Sequence, residues 1–252
     1  MTGDLGLPLA LALVALLLIA ILASWRGGLQ LERILAVAAV RAVVQLAAVS
    51  LLIAAVLGSL VWSACFAVLM FGVAVLTSSR RVDAVGSWPW IAVAMGCGVV
   101  PVLTLILASG AVPFAGASVV PIAGIVIGGA MTAHTLAGRA AFKALHEERS
   151  SYEAALSIGL VAPDAVSEVV ARHLPESLVP VIDQTRTVGL VTLPGAFVGV
   201  LLGGGTALQA GSAQILVLVG LLAAETLTVT VAHRLIRHRL LLPAGLRAGL
   251  PT

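Results

Sequence analysis

The chain has 252 residues, of which 60% are hydrophobic and only 10% charged, and its mean hydropathy is +1.15. A soluble domain carries about 25% charged residues, so this composition excludes a soluble protein and indicates an integral membrane protein. The net charge of +3 needs no nucleic-acid partner, because arginines in the loops on one side of a membrane explain a basic excess.

Seven apolar runs have the roughly 20 residues that a membrane-spanning helix needs. The predicted spans cover about 5–24, 34–57, 60–77, 90–109, 119–138, 187–205 and 213–233. The first run does not have the flank of a signal peptide, since Asp4 is the only charged residue before Leu5 and a signal peptide begins with basic residues. The predicted fold is therefore all-α and polytopic, with about seven transmembrane helices in a single domain over residues 1–252.

The basic residues predict the orientation of these spans. Thirteen of the 14 basic residues follow the first, third, fifth and seventh runs, whereas the alternate loops 58–59, 110–118 and 206–212 carry no charge. Lysine and arginine accumulate on the cytoplasmic side of short loops. The N-terminus is therefore expected outside and the C-terminus in the cytoplasm.

Residues 140–187 form the longest polar segment and are predicted to lie on the cytoplasmic face. Apolar residues recur at helical spacing from Phe142 to Leu156, so the fifth helix is expected to continue beyond the membrane and to break near Gly159. Pro163 suits the first turn of a second helix, which Pro175 is expected to stop. The pattern predicts a helical hairpin under the membrane, either as a plain solvated connection or as a surface for a partner.

Several chemical functions are excluded by the motifs. Lys143 is the only lysine and is not preceded by glycine, so the chain has no phosphate-binding P-loop. It also has no HExxH motif and no nucleophile elbow, and it is not expected to be an enzyme. Cys65 and Cys97 lie inside apolar runs and are expected to behave as small hydrophobic residues. No cofactor is expected in this chain.

Four separated motifs carry a resemblance to a known family. They are Arg41-Ala-Val-Val-Gln45-Leu46, the run Pro121 to Met131, Ala155-Leu-Ser-Ile-Gly159, and the run Thr185 to Gly195. In this order they resemble the FetB family of permeases of ATP-binding-cassette (ABC) transporters, which includes putative bacterial iron exporters and plant permeases linked to aluminium tolerance. Two positions depart from the family pattern: Gly129 stands where the family usually has asparagine, and Arg186 stands where it usually has lysine.

The resemblance implies a permease subunit without catalytic activity that exports iron or another metal ion across a bacterial inner membrane. It implies a separate cytosolic P-loop ATPase that binds ATP and Mg²⁺, and two copies of the permease in the lipid bilayer. Two other functions stay open on the residues alone. The first is a stand-alone carrier driven by an ion gradient, with Glu225 as the protonatable group, and the second is a noncatalytic membrane scaffold.

Arg41 and Glu225 are the charges predicted to lie inside the membrane, at matching depths from the cytoplasmic side. Buried charges in membranes usually face the bundle interior. The two are predicted to neutralise each other, with Gln45 one turn from Arg41 on the same face. The alternative is that Arg41 extends to the interface and Glu225 is protonated.

Other substrate-path candidates are Met131 and His134, which share a face of the fifth helix and suit soft or borderline metals. They would form a cation path only if they and Glu225 face one cavity, and His134 is also close enough to the cytoplasmic edge to bind interfacial water.

Glycine spacing predicts helix packing at Gly124 and Gly128 and at Gly195, Gly199 and Gly203, although chance spacing is an alternative among 26 glycines. Pro194-Gly195 is expected to break or kink the sixth helix, as helices that line transport pathways often do.

The segment Glu153-Ala-Ala-Leu-Ser-Ile-Gly159 partly matches the coupling motif by which importer permeases of the ABC class contact their ATPase. The resemblance implies that Glu153 pairs with a basic partner residue, and that Ala155 and Gly159 permit close contact. The coupling segment is placed at about 140–187.

Overall fold

The computed structural model describes residues 6–251, which fold as helices joined by short turns. The helices are α1 Gly6–Arg26, α2 Glu32–Leu57, α3 Leu60–Arg81, α4 Trp88–Ala108, α5 Gly116–Glu147, α6 Arg149–Ser157, α7 Ala162–Val170, α8 Val179–Thr187, α9 Gly195–Leu202, α10 Ala207–Arg237 and α11 Ala244–Gly249. Two 3-10 turns, Val85–Ser87 and Leu174–Leu178, precede α4 and α8. Asp4 and Leu5, used above for the start of the first span, lie outside the described residues.

The chain divides into two compact units, Met1–Val56 and Leu57–Thr252. In the first unit, α1 and α2 are apolar helices joined by a tight turn. Ser24 Oγ donates a hydrogen bond to Glu32 Oε1 at 2.8 Å and accepts one from the backbone N–H of Leu31 at 3.1 Å. The hydroxyl therefore caps the turn between the two helices.

Within the described residues, six helices are long and apolar enough to cross a membrane. They coincide with six of the seven predicted spans, which confirms a polytopic helical membrane protein. The remaining predicted span, about 187–205 with a break or kink at Pro194-Gly195, contains only the short helix α9 after Thr187. Gly189 has a φ of +81° and Pro194 adopts an extended conformation with no N–H to donate, so the chain cannot continue α8 into α9. The predicted break at Pro194-Gly195 thus occurs as a fully interrupted helix.

The core of the second unit is formed by α3, α4, α5 and α10. Single glycines let these helices approach closely. A Cβ on Gly98 of α4 would lie 2.3 Å from the Ala224 carbonyl oxygen and 2.2 Å from Thr228 Oγ1, both on α10. A Cβ on Gly116 of α5 would lie 2.3 Å from Ser63 Oγ on α3. The backbones at these two points are nearly in contact.

The predicted helical hairpin is present as α6 and α7, and its cytoplasmic location stays a prediction. Gly159, with a φ of +95°, ends α6, and Pro163 stands in the first turn of α7 as predicted. Pro175 does not stop this helix: α7 ends at Val170, and Pro175 begins the 3-10 turn Leu174–Leu178 instead. Proline suits the start of a turn because its missing N–H has no partner there in any case.

Candidate functional site

A cavity of about 250 Å³ lies between α5, α8, α10 and the 3-10 turn that precedes α8. Its polar lining comes from Thr132 on α5, Ser177 in the turn, Gln184 on α8 and Glu225 on α10. Apolar side chains, among them Leu221 and Val181, complete the walls. The cavity therefore combines one acidic group with neutral oxygen-bearing groups in an otherwise apolar setting.

Glu225 is the acidic centre of this cavity. Its side chain is buried, with 6% exposure, although it lies in the interior of a membrane-length helix. No side chain among residues 57–251 forms an ion pair or hydrogen bond with its carboxylate. A buried carboxylate without a partner is costly, so such groups in membrane helices usually serve transport or binding.

Gly129 makes room for this carboxylate on α5. A Cβ at position 129 would lie 2.6 Å from Glu225 Oε1 and 2.5 Å from Leu221 Cδ2. Any side chain at this position would displace Glu225 or push α10 away. Gly129 departs from the pattern of the family that the sequence resembles. In this chain the absence of a side chain there leaves the space that the Glu225 carboxylate occupies.

The neutral oxygens of the cavity are held in place by their own hydrogen bonds. Thr132 Oγ1 donates to the Gly128 carbonyl at 3.0 Å, and Ser177 Oγ donates to the Leu174 carbonyl at 2.6 Å. Each hydroxyl has its proton committed, so its remaining lone pairs are available as acceptors. Gln184 is exposed and adds an amide oxygen from α8.

His134 lies elsewhere, fully buried against α3. Its Nδ1 is 2.8 Å from Ser78 Oγ, which is also 3.0 Å from Thr135 Oγ1, and Thr135 donates to the Met131 carbonyl at 2.7 Å. If all three contacts are hydrogen bonds, Ser78 donates to Thr135 and His134 donates through Nδ1. His134 Nε2 then has no hydrogen-bond partner. The structure does not bring His134 and Glu225 together, and half-buried Met131 does not line the cavity either.

Arg41 and Gln45 lie on α2, in the first unit, and both are exposed within it. Glu225 belongs to the second unit. The pairing of Arg41 with Glu225 therefore stays a prediction.

The predicted coupling residues lie on the hairpin but differ in accessibility. Glu153 is exposed and already paired with Arg149 of the same helix at 2.8 Å. Ala155 is buried in the hydrophobic core, so its surface is covered by this chain itself. Gly159 is exposed at the hairpin turn, and a Cβ there would meet nothing within 4 Å. Of the three, Glu153 and Gly159 are accessible to another molecule, and Ala155 is not.

Polar contacts that the sequence patterns did not indicate tie the hairpin to two long helices. Glu148, the residue between α5 and α6, accepts hydrogen bonds from Arg172 and His173, which follow α7, the latter at 2.8 Å. On α10, Arg237 Nη2 lies 2.6 Å from Asp164 Oδ1, and His233 Nε2 lies 3.1 Å from Ser167 Oγ. These partners are separated by 24 to 73 residues, and no local spacing rule connects them. The hairpin is thus fastened to α5 and to α10.

The glycines predicted to pack helices are open in this chain. A Cβ on Gly128, Gly195 or Gly199 would meet nothing within 4 Å, and one on Gly124 would make an ordinary contact of 3.9 Å with Met70. A Cβ on Gly203 would approach only carbonyl oxygens of its own helix, the nearer at 3.3 Å. Close packing at these positions would need a surface from outside the second unit.

The sequence of the chain is similar to the proteins of one family. The profile of UPF0014, described as an uncharacterised protein family, matches residues 7–241. The UPF0014 membrane protein STAR2 of Oryza sativa subsp. japonica is 31% identical over 224 residues, or 88% of this chain and 78% of that protein. The protein ALUMINUM SENSITIVE 3 of Arabidopsis thaliana is 27% identical over 226 residues, or 88% of this chain and 83% of that protein.

A bacterial relative matches over a shorter stretch. The probable iron export permease protein FetB of Escherichia coli is 31% identical over 143 residues, which are 57% of this chain and 54% of that protein. No solved structure matches the chain.

Proposed function

The chain belongs to the UPF0014 family, and from this premise we propose that it is the permease subunit of an ABC transporter that exports iron or another metal ion. A separate cytosolic P-loop ATPase supplies the energy and binds ATP and Mg²⁺, and this chain itself performs no catalysis. The single observation that carries the proposal is the hairpin of α6 and α7, which is fastened to α5 and α10 and exposes an apolar turn.

One face of the hairpin is buried, so the hairpin is expected to move as a rigid body. Tyr152, Val166 and Val169 are fully buried. The contacts of Glu148 with Arg172 and His173 join the hairpin to α5, and those of Asp164 and Ser167 join it to α10. A force applied to the hairpin therefore reaches both long helices that line the Glu225 cavity.

The turn of the hairpin is the surface proposed to contact the ATPase. Ile158 is 80% exposed and Val161 is 62% exposed, on either side of Gly159. Single exposed apolar residues are common, but two at the tip of a cytoplasmic hairpin suit insertion into an apolar groove of a partner.

The orientation proposed from the arginines gives the interrupted segment 188–202 a definite role. The end of α8 carries Arg186 and the end of α10 carries Arg234 and Arg237, so both ends belong to the cytoplasmic face. Because α10 is long enough to cross the membrane, the chain must cross once between Thr187 and Thr206. The irregular stretch and α9 provide that crossing.

Two copies of the chain are proposed in the transporter. Leu190 is 90% exposed and Val191 is 77% exposed in the irregular stretch. Irregular backbone at membrane depth must be covered by protein or line a cavity, because lipid cannot satisfy its N–H and C=O groups. A second copy supplies such a cover and also a surface for the open glycines of α9. The proposed location is a bacterial inner membrane.

Replacement of Ile158 by Asp tests the role of the hairpin. The tagged chain is purified from its own host in mild detergent, and stoichiometric partners are identified by mass spectrometry. We expect a P-loop ATPase with the native chain and its loss with Ile158→Asp, because a charge at the tip cannot enter an apolar groove. Val85→Asp, at another residue that is 53% exposed and is proposed to face the cytoplasm, is the matched control and should retain the partner. A native chain that purifies alone in several detergents, or an Ile158→Asp chain that keeps its ATPase, would contradict the proposal.

The unpaired carboxylate of Glu225 favours one alternative, a carrier driven by an ion gradient. Flux in vesicles separates the two functions. Transport by the native chain alone that follows an imposed pH gradient without ATP would establish the carrier, whereas flux that requires the ATPase and ATP would exclude it.

A further inference from the structure

One acidic group deep in a membrane-spanning helix lines a cavity without a partner. The Glu225 cavity has a volume of about 250 Å³, which corresponds to roughly eight water molecules at ~30 Å³ each. A cation with part of its hydration shell fits that space. Because the carboxylate is 6% exposed and has no bonding partner among residues 57–251, a bound cation would stabilise its ionised form.

We propose that this cavity is a binding site for one divalent cation, held by oxygen atoms alone: the carboxylate of Glu225, the hydroxyls of Thr132 and Ser177, and the amide oxygen of Gln184. The inference rests on the proposed function, in which this cation is the cargo. It gives the cargo a position between α5, α8 and α10.

The lining groups determine which metals suit the site. The cavity contains no cysteine, histidine or methionine, and Met131 and His134 do not line it. Carboxylate, hydroxyl and amide oxygens suit Mg²⁺, Mn²⁺ and Fe²⁺, whereas thiolate and thioether sulfur select Cu⁺. The site therefore favours hard and borderline divalent ions over soft ones.

A single carboxylate among neutral oxygens also suits a transport site rather than a storage site. No group of three His, Cys, Asp or Glu residues among those described could hold a metal. High affinity for Ca²⁺ or Zn²⁺ generally uses several anionic or imidazole ligands. One carboxylate compensates only part of the charge of a divalent ion and leaves the rest to water and neutral dipoles, so the ion is released more readily than from a site with several anionic ligands.

One wall of the cavity, proposed to face the cytoplasm, is formed by the segment that directly follows the hairpin in sequence. Ser177, Pro180 and Gln184 lie in the 3-10 turn and in α8, directly after the hairpin in sequence. Glu225 and Thr132 lie on the long helices α10 and α5. A shift of the hairpin therefore moves neutral ligands relative to the carboxylate, which changes the coordination of the ion.

The test measures binding of Mn²⁺ alone to the purified full-length chain in lipid nanodiscs, without ATPase or ATP. The electron paramagnetic resonance signal of free Mn²⁺ falls as the ion binds. We expect one Mn²⁺ per native chain and no detectable binding at the same concentrations after Glu225→Gln. Glu168→Gln, which removes an exposed carboxylate outside this cavity, should bind as the native chain does.

A pair of glycine variants keeps the test decisive if Glu225→Gln does not fold. Gly129→Ala places a Cβ 2.6 Å from Glu225 Oε1 and should weaken Mn²⁺ binding by about 10- to 100-fold, as expected when the support of a ligand is disturbed. Gly124→Ala, on the same helix but outside the cavity, adds a Cβ at 3.9 Å from Met70 and should leave binding unchanged.

The outcomes separate this inference from the proposed function. If the native chain binds no Mn²⁺, or if Gly129→Ala and Gly124→Ala bind alike, the cation site is wrong, whatever partner the hairpin recruits. If Mn²⁺ binding follows the expected pattern while no ATPase co-purifies, the site stands and the ABC assignment fails.

Discussion

The glycines of two regions of the second unit have opposite surroundings: they are crowded in the core and open in α9. In the core of α3, α4, α5 and α10, isolated glycines such as Gly98 and Gly116 lie where a Cβ would overlap the neighbouring helix. In the interrupted segment 188–202, Gly195 and Gly199 are spaced regularly on one face of α9, yet nothing lies within 4 Å of either Cβ position. No residue of α9 is buried. The core helices pack closely on one another, whereas α9 leaves its glycine face uncovered.

Regular spacing of small residues therefore does not identify the closest contacts inside this chain. Close approach at Gly98 depends on where α10 places the Ala224 carbonyl and the Thr228 hydroxyl, which lie more than 120 positions away in sequence. Regular spacing instead indicates a flat face, and such a face can serve another molecule.

The largest effect should come from filling the core contact at Gly98. In Gly98→Ala the new Cβ would meet backbone as well as the Thr228 side chain, so α4 and α10 must separate. Overpacking of this kind costs about 1–3 kcal/mol. Gly96→Ala on the same helix adds a Cβ 3.8 Å from Phe71 and should be neutral or slightly stabilising, since alanine favours a helix by up to about 1 kcal/mol over glycine. Thermal unfolding in detergent compares the two variants, and equal melting temperatures would remove the distinction.

A smaller loss is expected where the hairpin joins α5. Glu148→Ala removes the acceptor of Arg172 and His173, in a site where the carboxylate is 27% exposed. Arg172 is 56% exposed and water competes for these hydrogen bonds, so the expected loss is about 1 kcal/mol, near the upper end for exposed ion pairs. The neighbouring Glu147 is 59% exposed and lies 3.9 Å from Lys143, so Glu147→Ala should change stability by less than about 0.5 kcal/mol. Limited proteolysis should cut the hairpin faster in the first variant alone, and a hairpin equally resistant in both would show that the ion pair does not hold it.

The smallest effect on stability should follow substitution on α9. Gly199→Leu has open space around its Cβ, so its free energy of unfolding should change by no more than an ordinary surface substitution does, about ±0.5 kcal/mol. If this face packs against a second copy, the same variant should shift the chain from dimer to monomer in light scattering. A variant that loses stability as Gly98→Ala does would mean that α9 is packed within its own chain after all.

Sequence patterns predicted the membrane class, six of the spans and the hairpin, because apolar length and helical spacing are local properties. For 187–205 they indicated the hydropathy of a span and the break at Pro194-Gly195, but not the positive φ of Gly189, which keeps the chain out of a helix before Pro194. Glu225 was predicted as a candidate because a charge in an apolar run is conspicuous. Its neighbours Gly129 and Gln184 come from α5 and α8, and the contact between Gly129 and Glu225 depends on how helices pack, which no local pattern reports.

Because of the length of α8, a small tilt about one end would displace its other end appreciably. Its nine residues span about 13 Å at 1.5 Å per residue, with the proposed ATPase contact upstream of one end and the membrane crossing at the other. A tilt of about 10° around the Leu178 end would displace the Thr187 end by about 2 Å, comparable with the interface shifts by which many proteins switch state. Gln184, two thirds of the way along, would move by roughly 1.5 Å, about the difference between a metal–oxygen bond and a contact through water. Displacements of this size need no large rearrangement of the helix bundle.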